Sequence, residues 1–131
     1  MNLENTLMEA LGMQVITQEK NLVEITMPVN KQTHQPMGYL HGGASVALAE
    51  SAASIASFLN IDADKQQIFG IEINANHIKS KRTGMVTGRA TPFHLGKTTM
   101  VWDIKIVDEQ ERLISVSRCT VGVVPLKNEE K

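Results

Sequence analysis

Residues 38–60 read GYLHGGASVALAESAASIASFLN, and between His41 and Leu59 the only acidic or basic side chain is Glu50. An ionised carboxylate is costly to bury without a partner. No Lys or Arg stands three or four residues away on a helix; Val46 and Ala47 precede the acid by one turn, and Ala53 and Ser54 follow it. Ser54, at i+4, shares its face and is the expected hydrogen-bond partner. The alternatives are a Glu50 that faces water or one that pairs with a strand cation such as Arg118. Just upstream, QPMGYLHGG sets the amide of Gln35, His41 and two glycines before the start of a helix. Unpaired N–H groups and partial positive charge at a helix N-terminus suit a developing oxyanion or a polarised carbonyl. Gly42 and Gly43 let a ligand reach that backbone without a Cβ in the way. HGG is also an ordinary loop-to-helix turn, so this reading leans on its neighbours.

The elements that must position these groups follow from periodicity. Residues 3–10 predict a short amphipathic helix with Leu3, Leu7 and Leu11 on one side, ended by Gly12. Residues 13–18 and 22–27 alternate as two strands around a turn at Glu19–Asn21. A loop rich in Pro, Gly and polar residues leads to one long helix, from about Gly43 to Leu59, with Asn60 as its stop. Its apolar residues surround it, so it is expected to be buried on several sides. Four strands follow, at 68–79, 84–94, 97–108 and 113–124. Met100, Trp102, Ile104 and Ile106 share one face of the third, and Thr99, Asp103 and Lys105 the other. Short polar joins at Ser80–Thr83, Leu95–Gly96 and Glu109–Arg112 predict antiparallel hairpins. The class is α+β: a strongly curved antiparallel sheet wrapped around one helix.

Composition narrows the function. A chain of 131 residues without an obvious linker is expected to form one domain, residues 1–131. Thirteen Lys and Arg against 14 Asp and Glu give a net charge of −1, so no global field favours nucleic acid or an acidic membrane. One cysteine, Cys119, excludes an internal disulfide, and the four histidines have no metal-ligand spacing. The apolar run has membrane-span length, but Ala, Ser and Gly dominate it, which marks a core helix. The N-terminus is too acidic and weakly apolar for a signal peptide, so the expected location is the cytoplasm.

QPMGYLHGGASVALAESAAS, together with GIEINANHIKS and HLG, resembles the hotdog-fold acyl-CoA thioesterases. The similarity is to the 4-hydroxybenzoyl-CoA thioesterase group that carries its acid on the central helix. Within it the chain is most similar to the 1,4-dihydroxy-2-naphthoyl-CoA hydrolases, from about Met13 to Val124. The resemblance implies Glu50 as nucleophile or general base. Gln35 and the Gly42 N–H polarise the thioester carbonyl, His41 orients the site and Ser54 places the hydrolytic water. It also implies that CoA lies near His77, Lys79, Ser80, Lys81, Arg82, Gly96, Lys97 and Thr98, although SKR before Thr-Gly is equally an ordinary solvated turn. No cofactor or metal is implied. The expected partners are an acyl-CoA and further copies of the chain, commonly a homotetramer. Tyr39, Met37, Phe58 and Phe93 are candidates for an aromatic acyl pocket or for core packing.

Helix geometry adds a constraint that is independent of the family. Gly42 and Glu50 are eight residues apart, about 12 Å along a helix at ~1.5 Å per residue. A Glu side chain cannot span that and also come within ~3 Å of a carbon held by the Gly42 amide. A catalytic site using both therefore needs two chains. The runner-up activity is a hotdog hydratase or dehydratase acting on acyl thioesters, kept open by His34 and His41. The other alternative is a non-catalytic acyl-CoA-binding regulatory module. Such modules usually carry an added DNA-binding segment, for which the eleven residues before Gly12 are too few.

Overall fold

A computed structural model describes residues 2–127. In chain order the elements are α1 (Leu7–Ala10), β1 (Gln14–Glu19), β2 (Leu22–Pro28), α2 (Gly42–Phe58), β3 (Gln66–His77), β4 (Met85–Leu95), β5 (Thr99–Val107) and β6 (Leu113–Pro125). The strands form one antiparallel sheet in the order β1-β2-β4-β5-β6-β3. Contacts run from α2 to all six strands, so the sheet curves around the helix as the α+β reading requires. No helix among the described residues is long and apolar enough to cross a membrane.

The inner face follows the period of two. Val23, Ile25 and Met27 of β2, Val86 and Ala90 of β4, and Met100, Trp102, Ile104 and Ile106 of β5 are all buried. They meet the small side of α2, where Ala49, Ala52, Ala53 and Ala56 are fully buried. With only a Cβ at those positions, the helix axis lies close to the sheet and Trp102 fills the space that remains. The indole Nε1 of Trp102 donates to Ser57 Oγ at 2.8 Å, and that hydroxyl donates to the Ala53 carbonyl at 2.8 Å.

Three expectations are corrected. The N-terminal helix is a single turn, because Asn5 takes a positive φ of 62° and Thr6 caps the helix by accepting from the Glu9 N–H. Leu11 packs on the core while Leu7 stays exposed, so these leucines do not share one buried side. The β3–β4 join is not a hairpin. β3 pairs with β6 at the sheet edge, and β4 lies between β2 and β5. Residues 78–84 carry the chain between these places, bonding to other segments on the way: Ile78 N–H to Ile114 O at 2.8 Å, Leu40 N–H to Lys81 O at 2.8 Å and Val29 N–H to Gly84 O at 2.8 Å. Lastly, α2 is not covered all round. Glu50 and Phe58 are exposed and Val46, Ala47, Ser51 and Ser54 are half-buried, because one curved sheet reaches only one side of the helix.

Two predictions follow from this packing. Ser57→Ala should leave the buried Trp102 N–H without an acceptor and destabilise the fold by about 1–3 kcal/mol, read from urea unfolding. An unchanged midpoint would mean that the indole bond contributes nothing. Glu109 accepts from Lys81 Nζ at 2.7 Å and from the Met85 N–H at 2.8 Å. The Lys81 bond, foremost, lowers its pKa from the usual 4.5 to about 2. A depressed acid stabilises the fold above its unfolded pKa, and that contribution fades as pH falls from about 4.5 towards about 2. Glu109→Gln should therefore flatten the acid limb of stability against pH; identical limbs would refute the link.

Candidate active site

The helix start is built by the loop before it. Thr33 is buried; its hydroxyl donates to Pro28 O at 2.9 Å and accepts from the Asn30 N–H at 3.0 Å. This holds the Thr33 carbonyl to accept from the His41 N–H at 2.8 Å. His41 is the N-cap of α2, with extended backbone (φ −69°, ψ 130°), and its Nδ1 accepts from the Gly43 N–H at 2.7 Å. A neutral His41 in this role carries its proton on Nε2. The Gly42 N–H donates to no group among the described residues, which leaves it free for a ligand. A Cβ on Gly42 would stand 2.9 Å from His77 Nε2, so the His77 ring lies directly against the helix start.

Gln35 faces the same place. Its backbone closes a turn with Tyr39 and Gly38, the latter at φ 86°. Its Oε1 accepts from the Met37 N–H at 2.6 Å and the Tyr39 N–H at 3.3 Å. With the carbonyl end so occupied, the Nε2 end remains as a donor. Gln35, Gly42, His77, Lys79 and Ser80 line one cavity of about 400 Å3.

Glu50 lies in a different cavity. That chamber, of about 620 Å3, runs along the uncovered side of α2, and Glu50 is its only charged lining residue. Val46, Ala47, Ser54, Phe58 and Ile68 share it. The carboxylate reaches β3, where a Cβ on Gly70 would meet Oε2 at 2.8 Å. Gly70 leaves room for the carboxylate in this position, and a lone glycine inside a strand was the legible signal of that close approach. Ser54 shares the chamber, but no hydrogen bond joins it to Glu50 among the described residues. Nor does Arg118 pair with Glu50; its guanidinium stacks over Phe93, 5.2 Å from the ring centre. The expected buried carboxylate is thus exposed within one chain, on a face that its own sheet does not reach. Burial, then the charges of Glu50 and Glu72, push the Cys119 thiol up to about 11, so it stays protonated near neutral pH.

The residues expected around CoA fall into two groups. His77, Lys79 and Ser80 flank the Gln35 cavity. Lys81, next along, is held by Glu109, and Arg82 lies over the Tyr39 ring at 4.3 Å. Gly96, Lys97 and Thr98 form the β4–β5 turn, closed by the Gly96 N–H to Thr99 O at 2.8 Å. The Val123 N–H donates to Thr98 O at 2.9 Å, whereas His77 stands opposite Ser115 of the same strand. Eight residues of β6 separate these points, about 26 Å at ~3.3 Å per residue. One chain does not bring the two groups together.

These features recur in known proteins. The family profile of the thioesterase superfamily matches residues 37–115. A 1,4-dihydroxy-2-naphthoyl-CoA hydrolase of Listeria monocytogenes is 50% identical over 117 residues, covering 89% of this chain and 94% of that protein. A proofreading thioesterase of Cronobacter turicensis is 44% identical over 119 residues, covering 91% and 86%. The crystal structure of a mutant thioesterase from Pseudomonas aeruginosa superposes with a TM-score of 0.92 at 42% identity, covering 95% of this chain and 89% of that one. With matches spanning the sheet, α2 and the turn before it, the chain belongs to the thioesterase superfamily and is a thioester hydrolase of the hotdog fold.

Proposed function

We propose that the protein hydrolyses an aryl-CoA or similarly apolar acyl-CoA thioester to the free acid and CoA, at sites shared between two chains. The observation that carries this reading is the separation of the machinery. A lone carboxylate stands in an apolar chamber, while the amide donors Gln35 and Gly42 open into a second cavity about 12 Å along the helix. A thioester needs both at one carbon.

The β3 edge supplies the means. Beyond β6 it has no strand partner among the described residues, and it exposes Phe69 and Ile71 at 56% and 61%. An exposed apolar edge of 12 residues invites pairing. Gly70 touches Glu50 near the middle of β3, and His77 touches Gly42 at its C-terminal end. Antiparallel pairing of β3 with its two-fold copy, in a register centred between these two residues, sets His77 of one chain beside Gly70 of the next. It carries Gln35 and Gly42 towards the partner's Glu50. The same operation returns the Gly96–Thr98 turn to the neighbourhood of the partner's His77–Arg82 stretch, uniting the CoA-binding groups. Two such dimers form the expected homotetramer, and the cytoplasm, where CoA thioesters are made, is the expected location.

In the chemistry, the Gln35 amide and the Gly42 N–H donate to the carbonyl oxygen as it gains charge. Glu50 attacks the carbon to give a mixed anhydride that water then opens, or takes the proton of a water that attacks directly. In either route the C–S bond breaks and CoA leaves as thiolate. Ser54 orients the water, and His41 holds the helix start in shape. The apolar chamber takes the acyl group; Phe58 at its edge suits an aromatic ring. An aryl-CoA is the class named for the Listeria relative.

Glu50→Ala should fold normally and lose at least ~100-fold in kcat on such esters, measured as thiol release. Near-normal turnover would remove Glu50 from the chemistry. The two-chain site is tested by refolding Glu50→Ala and Gln35→Ala together. Random pairing makes about half the dimers mixed, each with one doubly altered and one intact site, so activity should recover to about a quarter of wild type. No recovery, with subunit exchange shown by mass-tagged chains, would place both residues in one chain.

A further inference from the structure

We propose that Leu7 of α1 is the end wall of the acyl chamber and sets how long an acyl group the enzyme accepts. This rests on the assignment of the Glu50 chamber to the acyl group.

Leu7 is 61% exposed, an unusual place for a leucine on a turn that touches the core. It lines the Glu50 chamber, and it also lines a second cavity of about 240 Å3 bounded by Gln32, His34 and His41. Three residues are common to both spaces: Leu7, Gly43 and Ala47. Gly43 and Ala47 belong to α2 and offer no side chain beyond Cβ, so only Leu7 can divide the two. Its backbone is held for that task. Met8 and Leu11 pack on the core, and the Met13 N–H donates to Met8 O at 2.9 Å. Gly12, at φ +76°, lets the Pro28 ring close against the end of the turn, where a Cβ would meet it at 2.8 Å. The C-terminal side of α1 is thereby pinned, and Leu7, at its start, overhangs the chamber.

The consequence is a specificity set by one side chain. An acyl group extending along α2 from Glu50 towards Gly43 meets the Leu7 side chain. Shortening Leu7 opens the way to the further 240 Å3. Enlarging it shortens the chamber. A pocket discriminates by one to a few carbon groups at about 10–200-fold, so the change should be easily read.

The test compares kcat/KM for benzoyl-CoA and biphenyl-4-carbonyl-CoA in wild type, Leu7→Ala and Leu7→Trp. The ratio of the long to the short ester should rise about tenfold in Leu7→Ala and fall about tenfold in Leu7→Trp. Ratios that stay within about twofold in both variants, or that move in the same direction, would overturn the proposal. If urea unfolding shows Leu7→Trp to be destabilised, Leu7→Phe takes its place. Calorimetric binding of the same two esters, with Glu50→Ala added to each background, reads the ratio without turnover. Opposite shifts in the kcat/KM ratio support the Leu7 wall even if Glu50→Ala proves active, which would instead remove Glu50 from the chemistry. Inactive Glu50→Ala with unshifted ratios would remove the wall and leave the hydrolase reading intact.

Discussion

The closeness of α2 to the sheet is the constraint on which the rest of the structure depends. Four alanines with no exposed surface, Ala49, Ala52, Ala53 and Ala56, set that distance. Larger side chains there would hold the helix off the sheet and leave Trp102 without its place beside Ser57. With the helix seated, its opposite side can only face outwards. Glu50 is on that side. The same packing that builds the core therefore presents the one charged group of α2 to whatever lies beyond the chain.

Strand β3 connects this geometry to the helix start. It is long, lies at the sheet edge, and touches α2 at two points through side-chain absence. Gly70 makes room for the Glu50 carboxylate, and Gly42 makes room for the His77 ring. In each case a missing Cβ on one element admits a side chain from the other. A methyl group at either position would meet that side chain below 3.0 Å and displace it from its place. Strand edge and helix are therefore in contact at both Glu50 and Gly42.

The sequence was legible wherever a local pattern had one physical meaning. The alternation in β5 and the small-residue helix gave elements that lie within a few residues of those observed. Pairing was less legible. A polar join of a few residues suits a hairpin, but nothing in Ser80–Thr83 says that β3 bonds to β6 and β4 to β2. That choice is made by residues distant in sequence. Whether Glu50 is buried or faces water stayed open for a related reason: composition counts apolar residues around a helix and cannot tell which of them meet its own sheet. The cations' positions were not legible either. Lys81 and Lys97 both look like loop cations, yet they lie at opposite ends of the sheet, and Lys81 is already held by Glu109.

The exposure of Glu50 also bears on how the active site forms. A carboxylate buried during folding must be desolvated at once, and with no cation nearby that cost is large. Here the chain folds with Glu50 still hydrated, so its core carries no unpaired charge. On the two-chain reading, water is removed from the acid only when another chain and a thioester cover it. The carbonyl then offers a centre for its charge, and the Gln35 and Gly42 donors stabilise the product of that step. On that reading, folding and the desolvation of the carboxylate are separate events. That separation explains how a helix with a single acid and no countercharge is compatible with a stable fold.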